Sequence, residues 1–208
     1  LSNMNGNYNI EKDILTICEN KLKDLEKINI KVELLKPKIN TDILWNSWTT
    51  LRAKGIYEDT LAMNISDINT MTYQAIWEYN KGKEIKSEEI RLALDLKQQC
   101  LSQINLIFQN FDFLALPSAQ IFPFDKNLQY PKNINNIELD TYHRWLEVFI
   151  LSSILELPTI TIPVGFNKDG MPMGMQIIGR NKDDLKVFNF ANMYEKAFNF
   201  SKNKPKLT

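Results

Sequence analysis

Side chains able to do acid, base or nucleophilic work are few in this chain, and their spacing suits none of the familiar schemes. A Ser-His-Asp, Cys-His or multi-histidine metal site would need His143, the single histidine. It stands between Tyr142 and Arg144 at the start of a helical run, with no Gly-x-Ser-x-Gly sequence and no second histidine anywhere. His143 therefore reads as a packed side chain. The adjacent serines Ser152 and Ser153 lie in LEVFILSSILELP, an apolar helical run. That run lacks the flanking glycines that let backbone N–H groups approach a developing oxyanion, so helix packing is the expected role. Glu147 and Glu156 are too far apart along a helix to act as an acid and base pair, and Asp183-Asp184 reads as charge at a helix N-terminus. The seven glycines are scattered and form no loop ahead of a helix to cradle phosphate. No catalytic residue, metal ligand or cofactor site is assigned.

Composition narrows the classes further. Twenty-five Lys and Arg against 25 Asp and Glu leave no net charge over 208 residues, which argues against a nucleic-acid surface or a polybasic membrane patch. No long uncharged apolar run and no signal peptide is present, and the start LSNMNGNYNI is polar, so no membrane span and a cytoplasmic location are expected. Its first residue, leucine, hints at a sequence cut from a longer one. Cys18 and Cys100 are far apart and each falls on the apolar side of a helical pattern, which predicts reduced, buried thiols.

The elements that would position any site follow from hydrophobic periodicity. Residues Glu11 to Ile28 carry Ile14, Cys18, Leu22 and Leu25 at helical spacing. Asn29 can take a left-handed turn, and Lys31 to Leu35 alternates as a strand ended by Pro37. A second helix is predicted from Thr41 to Lys54 with Thr41-Asp42 as its cap. A third runs from Ser66 to Asn80 and stops near Gly82. The fourth, Ser87 to Asn110, shows a broad apolar face including Leu92, Leu94 and Ile104, with Glu88 and Glu89 at the positive end of its dipole. The charge run from Lys81 to Glu89 reads as a solvated helix entry. A buried strand at Phe111 to Leu116 is broken by Pro117. Ser118 to Asn136 then makes a long ordered excursion, and Leu139 to Glu156 is helical.

The most specific stretch is LPTITIPVGFNKDGMPMGMQIIGR, Leu157 to Arg180. Thr159 to Val164 and Met173 to Ile178 are short β-branched or apolar runs, separated by the turn chemistry of Asn167-Lys168-Asp169-Gly170. A buried hairpin with stops at Pro158 and Pro163 is predicted, followed by a helix from Lys182 to Phe198. Such a hairpin suits many α/β domains. The expected fold is α/β, a mixed β-sheet covered by α-helices.

This stretch also resembles the C-terminal signature of the amidase signature family, through Leu157, Pro158, Pro163, Gly165, Phe166, Asp169, Gly170, Pro172, Gly174, Gln176, Ile178 and Gly179. FDFLALPSA at Phe111 to Ala119, TYHRWLEVF and the closing helix are similar to further family elements, and the likeness is weaker before Phe111. The resemblance implies an amide hydrolase using a Ser, cis-Ser, Lys triad. The family places that triad in an N-terminal portion, so this chain, 1–208, is expected to be the C-terminal portion of an amidase domain. It should need the missing N-terminal half as partner and be inactive alone. The resemblance further implies that Tyr142, Arg144 and Trp145, with Ser118 beyond Pro117, approach the pocket for a small amide substrate. In the glutamine-using branch an acidic residue and "thr-x-pro-x-asn" are expected here. WLEVFILSS is aromatic and apolar instead, which favours a less polar amide while leaving Glu147 as a candidate acid. A degenerate, non-enzymatic module of the same fold is the alternative.

Overall fold

A computed structural model describes Met4, residues 6–37 and residues 39–203. In chain order its elements are α1 (Ile14–Glu26), α2 (Thr41–Ala62), α3 (Tyr73–Glu84), α4 (Ser87–Ile107), β1 (Phe113–Pro117), β2 (Asn133–Ile134), β3 (Ile137–Glu138), α5 (Ile150–Ile154), β4 (Thr159–Phe166), β5 (Pro172–Gly179) and α6 (Asp184–Phe198). Short 3-10 turns lie at Ile68–Thr70, Arg144–Phe149 and Phe200–Lys202. The chain divides into two compact units, one of Leu1–Lys38 with Ile107–Thr208 and one of Ile39–Leu106.

The first unit is built on the predicted hairpin. β5 is the middle strand of a three-stranded sheet ordered β1-β5-β4, and both pairings are antiparallel. Its reversal is set by Asn167, whose Oδ1 accepts the N–H groups of Asp169 and Met171, and by Gly170 at φ 78°. Pro163 does not stop β4 as expected. The strand runs on to Phe166 through a register shift between Pro163 and Gly165, where an irregularity accommodates a residue with no N–H to give.

Because side chains alternate across a strand, β5 offers Met173, Met175 and Ile177 to one face and Gly174, Gln176 and Ile178 to the other. The first face packs with Ile14, Cys18, Leu22 and Leu25 of α1 and with Phe190 and Tyr194 of α6. Tyr194 also donates its hydroxyl hydrogen to the Pro163 carbonyl. Cys18 lies within this core, and burial pushes its thiol up to about 12, so it stays protonated and acts as a small apolar residue. The opposite face is covered by the segment from Arg144 to Ile154, which reaches Gln176 through Val148 and Ser152. Buried on both faces, β5 leaves no room for solvent beside a polar side chain.

Several expectations need correction. Lys31 to Leu35 is not a strand and makes no ladder with any described residue, although Asn29 does take the left-handed turn at φ 63°. Leu139 to Glu156 is not one helix. It is a 3-10 turn and the short α5, because Arg144, Glu147 and the carbonyls of Phe149 and Val148 are engaged by side chains. Glu156 ends this segment in the left-handed region at φ 54°, a conformation that favours glycine.

In the second unit, α2 is longer than predicted, and its cap is Asn40, whose side chain accepts from the N–H groups of Asp42 and Ile43. The predicted third helix splits at Met71. Thr72 rather than Ser66 caps α3, which runs through Gly82 to Glu84. On α4, Leu92 and Leu94 are exposed, and the buried side is the narrower stripe of Ala93, Cys100 and Ile104. Helices α2 and α3 are joined by a forked ion pair, Arg52 Nε to Glu78 Oε1 at 2.6 Å and Nη2 to Oε2 at 3.2 Å, with Glu78 buried. They approach so closely that a Cβ on Gly82 would stand 2.0 Å from the Ala53 carbonyl oxygen. Backbone cannot yield there, so Gly82→Ala is expected to destabilise the protein by more than about 2 kcal/mol, read as a lowered midpoint in urea unfolding.

Candidate functional site

Three segments of the first unit meet around the second face of β5. Strand β1 delivers Pro117, and the ladder continues one residue further as the Ser118 N–H donates to the Gly174 carbonyl at 3.0 Å. A side chain at position 174 would collide there, since a Cβ would lie 2.7 Å from Ser118 Oγ and 2.8 Å from Thr161 Cγ2. Gly174 therefore permits the close approach of Ser118 to the sheet.

Gln176 binds the segments together. Its side-chain Nε2 donates to the carbonyls of Pro117 at 2.9 Å and Val148 at 3.2 Å, and its Oε1 accepts from the Ser152 hydroxyl at 3.1 Å. The residue is 0% exposed, so each of these bonds replaces water that cannot enter. Gln120 repeats the device one layer out. Its Oε1 accepts from the Val148 N–H at 3.1 Å and its Nε2 donates to the Asn9 carbonyl at 3.0 Å. The Glu11 N–H donates to the Gln120 carbonyl, and the Phe122 N–H returns a bond to Glu11 Oε2, each at 2.7 Å. Farther along, Asn9 donates to the Ile134 carbonyl, while Asn135 Nδ2 reaches Asn9 Oδ1 and the Ile10 carbonyl. The long excursion is thus pinned at both ends, consistent with the ordered loop expected.

The 3-10 turn at Arg144–Phe149 and the turn at Tyr142 and His143 that leads into it carry the aromatic residues. Arg144 holds it with a fork onto Asp140, at 2.9 and 2.6 Å, and a third contact to Glu147 Oε1 at 3.1 Å. Hydrogen bonds from Arg144 hold the Asp140 carboxyl below the usual carboxylate range. Burial, with a contribution from the negative charge of Glu147, pushes the Tyr8 hydroxyl well above its ordinary value, so it stays neutral. Trp145 meets Phe124 edge to face with centroids 5.4 Å apart, and Tyr142 sits on the His143 ring at 3.7 Å and beside Tyr130 at 6.1 Å. The Lys132 ammonium lies 3.5 Å from the Tyr130 centroid.

Tyr142, just before the 3-10 turn, and Trp145, on it, are therefore half-buried against aromatic residues of the excursion. Ser118, also half-buried, lies against Gly174 at the sheet. Gln176 and Val148 link the two places. Ser152 is committed to helix and sheet, since its Oγ lies 3.2 Å from the Phe149 carbonyl and 3.1 Å from Gln176 Oε1, both acceptors. A hydroxyl facing only acceptors is a structural donor and has no base to take its proton. His143 is buried under Tyr142. Among the described residues no three His, Cys, Asp or Glu side chains could jointly hold a metal ion, and no described helix is long and apolar enough to cross a membrane.

Sequence reasoning missed the glutamine linkage as a hub. Gln176 stood out only as one position of a motif, although an amide within an otherwise apolar central strand was itself a signal. The spacing of Asp140, Arg144 and Glu147 at helical intervals was a second signal of the same kind.

Two outcomes follow. Gln176→Leu removes the donor from two buried carbonyls and the acceptor from Ser152, and is expected to cost about 3 kcal/mol by urea unfolding, with Ser152→Ala costing about 1 kcal/mol. The Asp140 carboxylate, depressed by Arg144, contributes stability that is fully present above an unfolded value of about 3.9 and is lost as pH falls through its lower native value. The stability gap between wild type and Asp140→Asn, present at neutral pH, should close below about pH 4 when unfolding is followed by tryptophan fluorescence.

Comparison with known proteins gives this arrangement its setting. The chain is 51% identical over 178 residues to a glutamyl-tRNA(Gln) amidotransferase subunit of Shouchella clausii, an alignment covering 81% of this chain and 31% of that protein. Its fold superposes with a TM-score of 0.81 on a bacterial aryl acylamidase of the amidase signature enzymes at 20% identity, covering 94% of this chain and 42% of that one. Against the corresponding glutamyl-tRNA(Gln) amidotransferase subunit of Thermotoga maritima the TM-score is 0.64 at 22% identity, covering 91% and 40%. The chain thus spans less than half the length of these relatives. With the hairpin, its glycine and proline positions and the buried Gln176 in place, and with the Amidase family profile matching residues 6–188, the chain belongs to the amidase family.

Proposed function

We propose that this chain is the C-terminal portion of a carbon–nitrogen amide hydrolase, supplying sheet strands and part of a pocket wall to a catalytic portion carried elsewhere. The observation that supports this most directly is the pairing of a match across residues 6–188 with coverage of only 31% of a relative that is 51% identical. The engagement of Ser152 by two acceptors agrees with it, because Ser152 is then a packing residue, while its neighbour Ser153 is exposed.

In this reading Tyr142, Trp145 and Ser118 contact the substrate, a small amide with an apolar acyl or amine group. The aromatic clustering of Trp145 with Phe124 and of Tyr142 with Tyr130 supports an apolar wall. No metal, organic cofactor, membrane or nucleic acid enters the proposal, and the location is the cytoplasm, in keeping with two unpaired thiols. A second reading, a degenerate module without activity, is favoured by Glu156. It holds the left-handed backbone at φ 54° directly before Leu157-Pro158, a conformation that favours glycine.

The test combines the full chain with the region of the Shouchella clausii protein that precedes the matched stretch, assayed on a small aryl amide and on glutamine. Each part alone should give no turnover and the mixture should give it, with the aryl amide preferred. Trp145→Ala should raise KM by about twofold to tenfold, the weight of one aromatic contact. Faster glutamine hydrolysis would reverse the substrate assignment, and an assembled but inactive complex would favour the degenerate reading.

A further inference from the structure

Arg144 stands between the two aromatic residues proposed as substrate contacts, yet its guanidinium is directed at carboxylates of its own chain. All three of its side-chain nitrogens are engaged: Nε and Nη2 fork onto Asp140 at 2.9 and 2.6 Å, and Nη1 donates to Glu147 Oε1 at 3.1 Å. The Glu147 side chain is 8% exposed and that of Asp140 56%, so this clasp runs from the surface into the interior. A 3-10 turn holds its own shape poorly, because its hydrogen bonds are less well aligned than those of an α-helix. Near the Phe149 end outside partners steady it, since the Val148 N–H donates to Gln120 Oε1 and the Val148 carbonyl accepts from Gln176. At the Arg144 end the clasp does so, tying a residue before the turn to one within it. Trp145 follows Arg144 directly. Its ring meets Phe124 edge to face at 5.4 Å, and Phe124 is itself 37% exposed, so that contact leaves the indole dependent on the backbone beneath it.

We infer that the Asp140–Arg144–Glu147 clasp sets the position of the aromatic wall, and that Arg144 is a positioning residue acting through Trp145 on the aromatic part of an amide substrate. This rests on the reading given under Proposed function and deepens it by naming what holds the wall in place. A guanidinium already forked onto one carboxylate and bonded to a second is a brace, and the planar fork makes that brace rigid in a way a lysine would not.

The experiment labels the full chain with 5-fluorotryptophan and assigns the Trp145 line among the four tryptophans with Trp145→Phe. Arg144→Gln combined with Glu147→Gln removes both members of the buried pair and leaves no uncompensated charge inside. In that double variant the Trp145 fluorine line should broaden and shift toward its unfolded position while the other three lines stay in place. Asp140→Asn opens the fork but keeps the buried pair, so it retains the fold and should move the same line part of the way. An unmoved Trp145 line in these variants overturns the clasp. Mixed with the same preceding region of the Shouchella protein, the double variant should raise KM for the aryl amide by about twofold to tenfold, as Trp145→Ala does, with kcat and the KM of an alkyl amide unchanged. Adding Trp145→Ala should raise KM no further. A KM that multiplies in the combined variant shows Arg144 acting apart from Trp145 and also overturns the inference. No turnover from the wild-type mixture overturns the functional reading and the substrate role together, whereas turnover with an unmoved Trp145 line overturns the clasp alone.

Discussion

A single buried amide sets the terms for the first unit. β5 is covered on both faces, so Gln176 must find protein partners for all the hydrogen-bonding capacity it uses, and it finds them in Pro117, Val148 and Ser152. An unmet polar group in that position would cost as much as several ordinary contacts contribute. The three partners therefore cannot drift independently. The end of β1, the 3-10 turn and α5 are held in one register, and the aromatic turn is placed relative to Ser118 by that constraint.

Around this point the unit is economical in its use of backbone. Gly174 removes the side chain that would keep Ser118 from the sheet, and Gln120 fastens the excursion to Asn9 and Val148. Arg144 takes up two carboxylates, Asp140 before the turn and Glu147 on it. These links are polar and directional, whereas the opposite face of the sheet rests on the non-directional packing of α1 and α6. The arrangement suits a protein that needs one rigid apolar support and one face shaped for contact.

The family likeness and the local structure agree where sequence constraints are backbone constraints. The glycine and proline pattern of the hairpin reappears as a turn at Gly170, an irregularity after Pro163 and a close contact at Gly174. They part where burial decides. Glu156 keeps the left-handed turn without glycine, and Leu92 and Leu94 of α4 are exposed although their pattern is apolar. Apolar character reports what a residue prefers, but what covers it depends on the rest of the fold.

Sequence by itself determined the hairpin, the buried stripe of α1, the buried thiols and the membership of an α/β fold, because each depends on interactions within a few residues or on a repeating period. Tertiary structure alone decided that Lys31 to Leu35 makes no ladder with a described residue, that the stretch before Leu157 breaks into a 3-10 turn and a short helix, and that Gln176 joins three segments. Ladders and buried hydrogen bonds need partners remote in the chain: Gln176 and Pro117 are 59 positions apart, and Gln120 and Asn9 are 111. Distances of that kind are set by the path of the whole chain, and no local pattern encodes them.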